Sequence, residues 1–419
     1  MTPATLNLSR PAEPLRGTFQ LPASKSESNR ALILQALAGG GTLQNLSAAN
    51  DTVLMQKLLA QVGTADVFDA EDAGTVMRFL LAYLALAGRP ALLTGTARMQ
   101  ERPIAVLVEA LRQLGARIEY TGREGFPPLR LRGRTAPATP ADGQPAELAV
   151  RGDLSSQYIS ALLMLGPTLP TGLRLRLTGK VNSRPYIRLT LSLMRHFGAD
   201  CRDLGAFVEV RPAPYRPADY AVEADWSAAS YAYALVALAP AGSWLLLPGL
   251  RRHSWQGDQA IAAIMAQLGV ATEYLADDTV RLSQAPRSTS ITQDFADCPD
   301  LAQTVAVVAA ALHIPATFRG LESLRIKETD RIQALQTELA KFGAALTDTG
   351  DGTFALTSPN FAVSGQTVAT YHDHRMAMAF APLALLGNLI IESPAVVRKS
   401  FPAFWQELAK IDFSVSEAP

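Results

Sequence analysis

The chain repeats one hydrophobic pattern, in which a polar or charged cluster precedes a run of small apolar residues. The six runs read NRALILQALAGG, GTVMRFLLAYLALAG, SSQYISALLMLG, AASYAYALVALAP, DLAQTVAVVAAAL and DHRMAMAFAPLALLG. A helix that is apolar on every face needs burial on every side. Each run therefore predicts a helix at the centre of a packed domain.

A more amphipathic helix is predicted downstream of each buried one. These segments read DTVLMQKLLAQVG, RPIAVLVEALRQLGARIEY, RPYIRLTLSLMRHFGADC, GDQAIAAIMAQLGVATEY, ETDRIQALQTELAKFGAAL and FPAFWQELAKIDF. Several end in Leu-Gly or Phe-Gly before a β-rich segment, as a glycine C-cap before a strand would. The pattern predicts an α/β (α+β) fold of six βαβ-like units.

The spacing of these units predicts the domains. Successive units begin about 70–80 residues apart, except for a shorter first unit. Three units round a common axis, twice over, predict two similar domains. We place one at residues 1–21 with 226–419, and the other, which holds the shortened first unit, at residues 22–225. Ordinary α/β alternation without true repetition is the alternative.

Composition narrows the class of protein. Of 419 residues 48% are apolar, and the formal net charge of zero argues against a protein that coats nucleic acid. Two cysteines give no disulfide framework and no metal-ligand spacing, which fits a reducing cytoplasm. We predict no signal peptide. The apolar stretch 228–250 is interrupted by prolines, so we predict a buried helix followed by a strand there, not a membrane span.

Candidate chemistry lies at the starts of the repeated helices, where unpaired backbone N–H groups favour anions. Lys25, Ser26 and Arg30 lie in the first cluster, SKSESNR, for which a serine-rich N-cap is the simpler alternative. In the second unit, Gly74 would let a ligand approach the backbone closely, and Arg102 lies before the next helix.

The third unit supplies uncharged donors suited to phosphate oxygens and sugar-like hydroxyls. They are Ser155, Ser156 and Gln157, with Ser183 at the following helix start. No G-x-S-x-G motif surrounds these serines, so a hydrolase nucleophile is not predicted.

The fifth unit carries an acid–base cluster before a helix predicted from about Thr329 onward. Cations at a helix N-terminus are unfavourable, so Lys327 and Arg331 suggest a bound anion, and Glu328 is available for proton transfer. A solvated first turn with a Glu–Arg pair is the alternative. Asp300 precedes another apolar helix, where it would serve equally as an N-cap.

The sixth unit carries His372, His374 and Arg375, with Lys399 before the last helix. Two histidines that flank an aspartate are compatible with a metal site, but no further ligand set is visible. Many groups that can bind anions lie at equivalent points of the repeated units, although the chain is neutral overall. This distribution predicts two or more small anionic ligands. A non-catalytic scaffold would instead spread its charges along one face.

The motifs SKSESNRALILQALA, AGTVMRFL, RMQERPI, SSQYISALLM, SRPYI, RIKETDRI, DHRMAMAF and RKSFPAFW resemble, in order, those of the 5-enolpyruvylshikimate-3-phosphate (EPSP) synthase family. The resemblance spans nearly the whole chain. It implies two similar domains of three βαβαββ units each round a pseudo-threefold axis, the enolpyruvyl transferase inside-out barrel. It also implies transfer of the enolpyruvyl group of phosphoenolpyruvate to the 5-hydroxyl of shikimate 3-phosphate, with release of phosphate.

The resemblance also implies roles for individual residues. The shikimate 3-phosphate site would comprise Lys25, Ser26, Arg30, Ser155, Ser156, Gln157, Ser183, Asp300 and Lys327. The phosphoenolpyruvate site would comprise Lys25, Gly74, Arg102, Gln157, Arg331, Arg375 and Lys399. Asp300 resembles the family's proton acceptor and Glu328 its proton donor, with Lys25 as a third catalytic residue. The resemblance implies a monomer, and the reaction requires neither a metal nor an organic cofactor. Gly74 suggests a glyphosate-sensitive site. From composition we predict a cytoplasmic protein with no nucleic-acid or membrane partner.

The chain departs from the family pattern at three positions. Asp72 replaces a usual Asn, Phe79 a frequent Pro, and Ser323 an Asn that often contacts substrate. The carboxylate of Asp72 is expected to weaken phosphoenolpyruvate binding unless an arginine such as Arg78 neutralises it. The nearest rival is UDP-N-acetylglucosamine enolpyruvyl transferase, which typically uses a loop cysteine near residues 98–102, where this chain has none.

Overall fold

The computed structural model describes residues 4–9, 13–135, 143–152, 155–179, 181 and 183–417. The described residues form twelve α-helices: α1 Lys25–Ala38, α2 Asn50–Ala60, α3 Gly74–Ala87, α4 Ala105–Gln113, α5 Ser156–Leu165, α6 Arg184–His196, α7 Trp226–Leu238, α8 Ile261–Gln267, α9 Ala302–Ala311, α10 Arg331–Ala340, α11 His374–Phe380 and α12 Phe404–Lys410. The odd-numbered helices are the six apolar runs, and the even-numbered ones are the amphipathic segments.

Short 3-10 helices lie between several of these elements. They span Met99–Glu101, Gly166–Thr168, Gly257–Ala260, Pro299–Leu301, Glu322–Ile326, Ala381–Leu385 and Pro394–Lys399. Two of them, Pro299–Leu301 and Glu322–Ile326, carry or precede residues of the predicted acid–base cluster.

The strands of the described chain are short, as expected for repeated βαβ units. They are β1 Thr5–Ser9, β2 Arg16–Thr18, β3 Leu43–Gln44, β4 Val67–Asp69, β5 Pro90–Thr94, β6 Ala116–Tyr120, β7 Leu129–Arg134, β8 Ala146–Arg151, β9 Leu173–Thr178, β10 Cys201–Asp203, β11 Phe207–Val210, β12 Tyr220–Ala221, β13 Trp244–Pro248, β14 Val270–Tyr274, β15 Thr279–Gln284, β16 Ile291–Asp294, β17 Ala316–Arg319, β18 Ala345–Gly350, β19 Thr353–Thr357, β20 Thr367–Val368, β21 Leu389–Glu392 and β22 Ser414–Glu417.

The chain divides into two compact units. One is formed by Met1–Ser24 with Glu223–Pro419, here the discontinuous unit, and the other by Lys25–Val222, here the continuous unit. The order β16-α9-β17-α10-β18-β19 in the first, and β4-α3-β5-α4-β6-β7 in the second, is the βαβαββ repeat. The predicted α/β fold with this repeat is confirmed.

The discontinuous unit places its sheets around buried helices. In the described residues it has three four-stranded sheets, ordered β20-β21-β1-β22, β14-β15-β13-β2 and β16-β17-β19-β18. Each sheet has one parallel pair: β20 with β21, β13 with β2, and β16 with β17. A parallel pair needs a crossover, which α11 and α9 supply for two of them. Helices α7, α9 and α11 contact one another, and all ten residues of α9 are buried.

The continuous unit follows the same plan with one smaller sheet. Its described strands form the four-stranded sheets β4-β5-β7-β6 and β10-β11-β9-β8 and a two-stranded parallel sheet of β12 and β3. Helix α3 joins the parallel pair β4 and β5, and α5 joins β8 and β9. Helix α3 contacts both α1 and α5. The two-stranded sheet lies where the sequence spacing predicts a shortened unit.

The apolar stretch 228–250 forms most of α7 followed by β13, so the predicted buried helix and strand are confirmed. The change of structure occurs at Pro240, which cannot continue a helix. Within the part of the chain that the structure describes, no helix has both the length and the apolar character that a bilayer crossing requires.

Candidate functional site

The acid–base cluster of the discontinuous unit is organised around Arg331, the first residue of α10. Its side chain is only 2% exposed. Nε donates to Oδ2 of Asp373 at 2.6 Å, Nη1 to Oδ1 of Asp300 at 2.8 Å, and Nη2 to Oε2 of Glu328 at 2.8 Å. Asp330 caps the helix, since its Oδ1 accepts from the N–H groups of Ile332 and Gln333. This cap explains why α10 begins at residue 331 and not near residue 329.

Asp300 is a second centre of the same cluster. Its Oδ2 accepts from Nη2 of Arg375 at 3.0 Å, and Nζ of Lys327 lies 3.8 Å from its Oδ1. Its backbone carbonyl also accepts from Nη1 of Arg375 at 3.1 Å. The N-cap alternative for Asp300 is wrong: the residue lies in a 3-10 turn, and Leu301 occupies the N-cap position of α9. The Asp300 carboxylate therefore interacts with the cationic side chains of Arg331, Arg375 and Lys327.

The surrounding charges decide the protonation of this cluster. Burial alone would raise the pKa of Asp300, but the charges of Arg375, Lys327 and Arg331 outweigh it and hold that pKa well below its ordinary value. Burial lowers the pKa of Lys327, an effect that the charge of Asp300 opposes. Burial would also lower the pKa of Arg331, yet Asp373, Glu328 and Asp300 raise it above the ordinary value.

Glu328 completes the cluster on its other side. Nζ of Lys399, at the end of a 3-10 helix, lies 3.9 Å from Oε1 of Glu328, whose side chain is 16% exposed. The predicted Glu–Arg pair is therefore present. However, the alternative of a solvated first turn is wrong, because the Arg331 partner is buried and shared among three carboxylates.

Sequence reasoning missed two acidic residues of this region. In the sequence, Asp373 is distinguished only by its position between two histidines, and nothing in its neighbourhood indicates a partner at residue 331. Asp258, buried in the 3-10 turn before α8, has a pKa raised to about 6 by burial and by the charge of Asp300, with opposition from Arg375. The only available signal for Asp258 was an acid at a predicted helix start.

His374 lies beside this cluster. It is buried, and its Nδ1 is 3.6 Å from Oδ1 of Asp373. His372 is exposed. Among the described residues, no group of three or more His, Cys, Asp and Glu side chains is arranged to hold a metal ion.

In the continuous unit, residues 25–30 of the SKSESNR segment form the first turns of α1. Nζ of Lys25 lies 3.1 Å from Oδ2 of the buried Asp51. Arg30 is buried, and its nitrogens donate to Oγ1 of Thr190 at 2.7 Å, to the carbonyl of Ser26 at 2.8 Å and to Oγ of Ser160 at 3.2 Å. Burial lowers the pKa of Arg30 to about 10, so its guanidinium stays charged near neutral pH.

A second group of donors gathers at the start of α3. Nη1 of Arg78 donates to the carbonyl of Gly74 at 3.0 Å and to Oε1 of Gln157 at 2.9 Å. A Cβ at Gly74 would lie 2.5 Å from Nη1 of Arg78 and 2.9 Å from both terminal nitrogens of Arg102. The glycine therefore lets two guanidinium groups meet a helix N-terminus, an arrangement that favours an anion.

The serines of the third unit have distinct positions. Ser155 is the N-cap of α5, and its Oγ accepts from the N–H of Gln157 at 3.3 Å. Ser156 is the first residue of that helix and is half-buried. Ser183 occupies the N-cap position of α6 with φ +56°, in the left-handed region that a non-glycine residue rarely adopts.

The three departures from the family pattern lie in different surroundings. Asp72 is exposed, and Ser323 is half-buried in a 3-10 helix. Phe79 is fully buried, and the guanidinium carbon of Arg30 lies 5.2 Å from the centre of its ring. At this position, where many members carry proline, the chain thus uses an aromatic face to cover a buried cation.

The structure brings six predicted residues of the discontinuous unit into one network: Asp300, Lys327, Glu328, Arg331, Arg375 and Lys399. In the continuous unit, Gly74, Arg102 and Gln157 gather around Arg78, whereas Lys25 pairs with Asp51.

Comparison with known proteins gives a consistent family. The family model for EPSP synthase (3-phosphoshikimate 1-carboxyvinyltransferase) matches residues 9–71 and 61–408. A 3-phosphoshikimate 1-carboxyvinyltransferase of Bacteroides fragilis is 49% identical over 97% of this chain and 98% of its own length. One of Escherichia coli O1:K1 / APEC is 37% identical over 96% of this chain and 98% of its own length.

The fold also has a close counterpart among solved structures. EPSP synthase from Acinetobacter baumannii superposes with a TM-score of 0.79, at 21% identity, over 99% of this chain and 100% of that chain. The family predicted from the motifs is confirmed, and so is the fold class.

Replacement of Asp300 by Asn should weaken the discontinuous unit in a pH-dependent way. The loss of charge-assisted bonds to two arginines should lower the free energy of unfolding by about 2 kcal/mol at pH 7. Since folding lowers the pKa of Asp300, its contribution is fully present above the unfolded-state pKa of about 3.9 and declines as pH falls from there towards the folded-state pKa. All four tryptophans lie in this unit, so their fluorescence during urea denaturation reports it.

The control for this measurement is Glu322→Gln, which removes an exposed carboxylate of the same unit. It should leave the unfolding free energy at pH 7 unchanged. A difference between wild type and Asp300→Asn that persists undiminished at pH 2 would contradict the assigned charge state.

Replacement of Gly74 by Ala should weaken anion binding without unfolding the continuous unit. The new Cβ forces the guanidinium tips of Arg78 and Arg102 to move, since both lie closer than a Cβ tolerates. Loss of one charge-assisted contact corresponds to roughly tenfold weaker binding of inorganic phosphate by titration calorimetry. Gly122→Ala is the control, because its Cβ would meet only Pro128, at 3.6 Å. Equal phosphate affinity in the two variants would refute the prediction.

Proposed function

We propose that this chain, which belongs to the EPSP synthase (3-phosphoshikimate 1-carboxyvinyltransferase) family, transfers the enolpyruvyl group of phosphoenolpyruvate to the 5-hydroxyl of shikimate 3-phosphate and releases phosphate. The reaction is a step of the shikimate pathway to aromatic amino acids. Support comes from the family match over most of the chain and from curated relatives of that name at 36–49% identity. The structural observation that carries it is the Arg331 network, which holds two carboxylates, of Asp300 and Glu328, on one guanidinium.

The reaction needs an acid and a base. The 5-hydroxyl loses a proton as its oxygen attacks C2 of phosphoenolpyruvate, and C3 gains a proton, which gives a tetrahedral ketal. A proton then leaves C3 as the C2–O bond to phosphate breaks. By microscopic reversibility, each proton-transfer group can act in the opposite sense in the second step. We assign proton acceptance from the hydroxyl to Asp300 and donation to C3 to Glu328, with Lys25 as the third catalytic group.

Substrate binding would change the basicity of Asp300. In this structure Asp300 is ionised, as an acceptor must be, but its lowered pKa makes it a weak base. When substrate anions take up part of the charge of Arg375 and Arg331, that pKa rises and Asp300 becomes a stronger base. Arg331 and Lys399 are the cations beside the Glu328 carboxyl group, and both belong to the proposed phosphoenolpyruvate site.

The binding residues follow from the resemblance and the contacts. We assign shikimate 3-phosphate to Lys25, Ser26, Arg30, Ser155, Ser156, Gln157, Ser183, Asp300 and Lys327. We assign phosphoenolpyruvate to Lys25, Gly74, Arg102, Gln157, Arg331, Arg375 and Lys399. Preorganised cations of this kind offset charge that develops in the transition state. For Arg30, the internal bonds to Thr190 and Ser160 support a role in holding α1 as well.

We further propose that the protein is a cytoplasmic monomer whose two compact units are its functional domains. The reaction as written balances without an oxidant, a reductant or a group carrier. The division of the chain into Lys25–Val222 and the remainder supports the two domains.

Phosphorus NMR of the purified protein with both substrates tests the proposed function. Inorganic phosphate and a new enolpyruvyl phosphate ester should form with shikimate 3-phosphate, and neither should form with UDP-N-acetylglucosamine. Turnover with the sugar nucleotide alone would transfer the assignment to that transferase. Silence with both acceptors, from a folded protein, would favour a binding protein.

Replacement of Glu328 by Gln should then abolish most turnover. The amide still accepts from Arg331 but cannot supply the proton, so kcat should fall by about 10²–10⁴. The matched control is Glu322→Gln, the same change at an exposed position six residues earlier, which should retain wild-type kcat. A Glu328→Gln enzyme within about threefold of wild-type kcat would remove Glu328 from the proposed mechanism.

A further inference from the structure

The turn before α11 holds two consecutive residues in an unfavourable backbone conformation. Tyr371 has φ +53° and His372 has φ +57°. The N–H of Asp373 donates to the carbonyl of Thr370 at 2.8 Å and closes the turn. Positive φ at both central positions is the pattern of a type I′ turn, in which Asn and Gly are preferred. A bulky side chain such as tyrosine adopts it only where the surroundings impose it.

One end of this turn is fixed by the site. Asp373 is fully buried, binds Nε of Arg331 at 2.6 Å, and caps α11 by accepting from the N–H of Arg375 at 2.9 Å. A change in the direction of the chain at residue 372 would move this carboxylate away from Arg331. It would also turn the start of the helix that carries Arg375.

The other end is fixed by a buried carboxylate outside the proposed catalytic groups. The phenol of Tyr371 donates to Oε1 of Glu338 at 2.7 Å. Oε2 of Glu338 accepts from the N–H of Ala369 at 3.1 Å and from Nζ of Lys341 at 2.8 Å. Glu338 is fully buried, so the bonds that it accepts replace its hydration. Burial and the bond to Glu338 raise the pKa of Tyr371 to about 12, so the phenol remains a donor at neutral pH.

Both fixed ends are held by the same helix. Arg331 and Glu338 lie two helical turns apart on α10, hence on one face and about 10 Å apart along its axis. Arg331 binds Asp373 on one side of the strained pair, and Glu338 binds Ala369 and Tyr371 on the other. A rigid helix therefore determines the separation and direction of the turn.

From this arrangement we infer that Glu338 and Tyr371 are positioning residues: they keep the turn at positive φ and thereby keep Asp373 on Arg331 and Arg375 in place. They act on substrate binding through those residues. This inference rests on the proposed function in one respect, namely that Arg331 and Arg375 bind phosphoenolpyruvate. When the hydrogen bond of the Tyr371 phenol is lost, the turn can relax to a less strained conformation. This relaxation should displace Asp373 and Arg375.

Tyr371→Phe tests the inference by removal of one hydroxyl. Relaxation of the turn should raise KM for phosphoenolpyruvate about tenfold, equivalent to about 1.4 kcal/mol, and raise KM for shikimate 3-phosphate much less. Tyr233→Phe is the matched control, since its hydroxyl lies 2.8 Å from Oγ1 of Thr272 in the same unit, away from this turn. Both variants lose a tyrosine hydrogen bond of similar length, but only Tyr371→Phe should change the KM for phosphoenolpyruvate.

A second pair of variants tests the backbone conformation itself at His372, whose side chain is exposed. Glycine accepts positive φ without steric cost, so His372→Gly should keep KM for phosphoenolpyruvate within about twofold of wild type. Valine is β-branched and resists that conformation, so His372→Val should raise this KM by about tenfold. His372→Gly added to Tyr371→Phe should also recover part of the lost affinity.

The outcomes separate this inference from the proposed function. Absence of wild-type turnover would defeat the proposed function; the positioning role would then be judged from calorimetric binding of phosphoenolpyruvate to the same variants. Wild-type affinity in Tyr371→Phe, or equal values for the valine and glycine variants, would overturn the inference. A parallel loss of affinity for both substrates in Tyr371→Phe and Tyr233→Phe would reduce the effect to general destabilisation and overturn it as well.

Discussion

The burial of one guanidinium is the constraint on which the discontinuous unit depends. An unpaired charge inside a protein is strongly unfavourable, and removal of a partner from a buried ion pair is correspondingly costly. Arg331 is stable in the interior because carboxylates from three separate segments bind its three nitrogens. The cluster contains four cations and three carboxylates, namely Lys327, Arg331, Arg375 and Lys399 with Asp300, Glu328 and Asp373. Asp258, buried and interacting with Asp300 and Arg375, is a fourth acid of this region, so the charges of the two signs nearly balance. The four cations are the groups that we propose bind the anionic substrates.

The small residues of the buried helices make this convergence possible. Alanine and valine make up most of α9, and its neighbours α7 and α11 pack directly against it. Close packing brings the starts of α9 and α11 together, so that Asp300 and Arg375 bond over a sequence separation of 75 residues. The small apolar residues of the core therefore determine how closely the charged residues at the helix starts approach one another.

Sequence reasoning recovered what is local and missed what is distant. Helix periodicity and glycine caps involve residues only a few positions apart, and they predict the buried and amphipathic helices. The spacing of about 70–80 residues between units predicts six βαβ-like units. The βαβαββ form of the repeat is what the family resemblance implies. The bond between Arg331 and Asp373 joins residues 42 positions apart, and no local pattern at residue 373 indicated it. The role of Asp300 is equally ambiguous in the sequence, because an aspartate before an apolar helix is expected both for an N-cap and for an ion-pair partner. The strained turn at Tyr371 could not be predicted from the sequence, since tyrosine is disfavoured in turns with positive φ.

The discontinuity of one unit has a consequence for biogenesis. Strand β1 pairs with β21 and β22, and β2 pairs with β13, so N-terminal strands find their partners only in sequence made much later. The unit Lys25–Val222, in contrast, is contiguous. Because domains tend to fold as units while the ribosome works, the middle of the chain can acquire its structure first. Strand β2 must wait until β13 has been made, and β1 must wait until β21 and β22 have been made. Their backbone hydrogen-bonding groups stay unpaired during that interval, which is when the nascent chain is most exposed to misassembly.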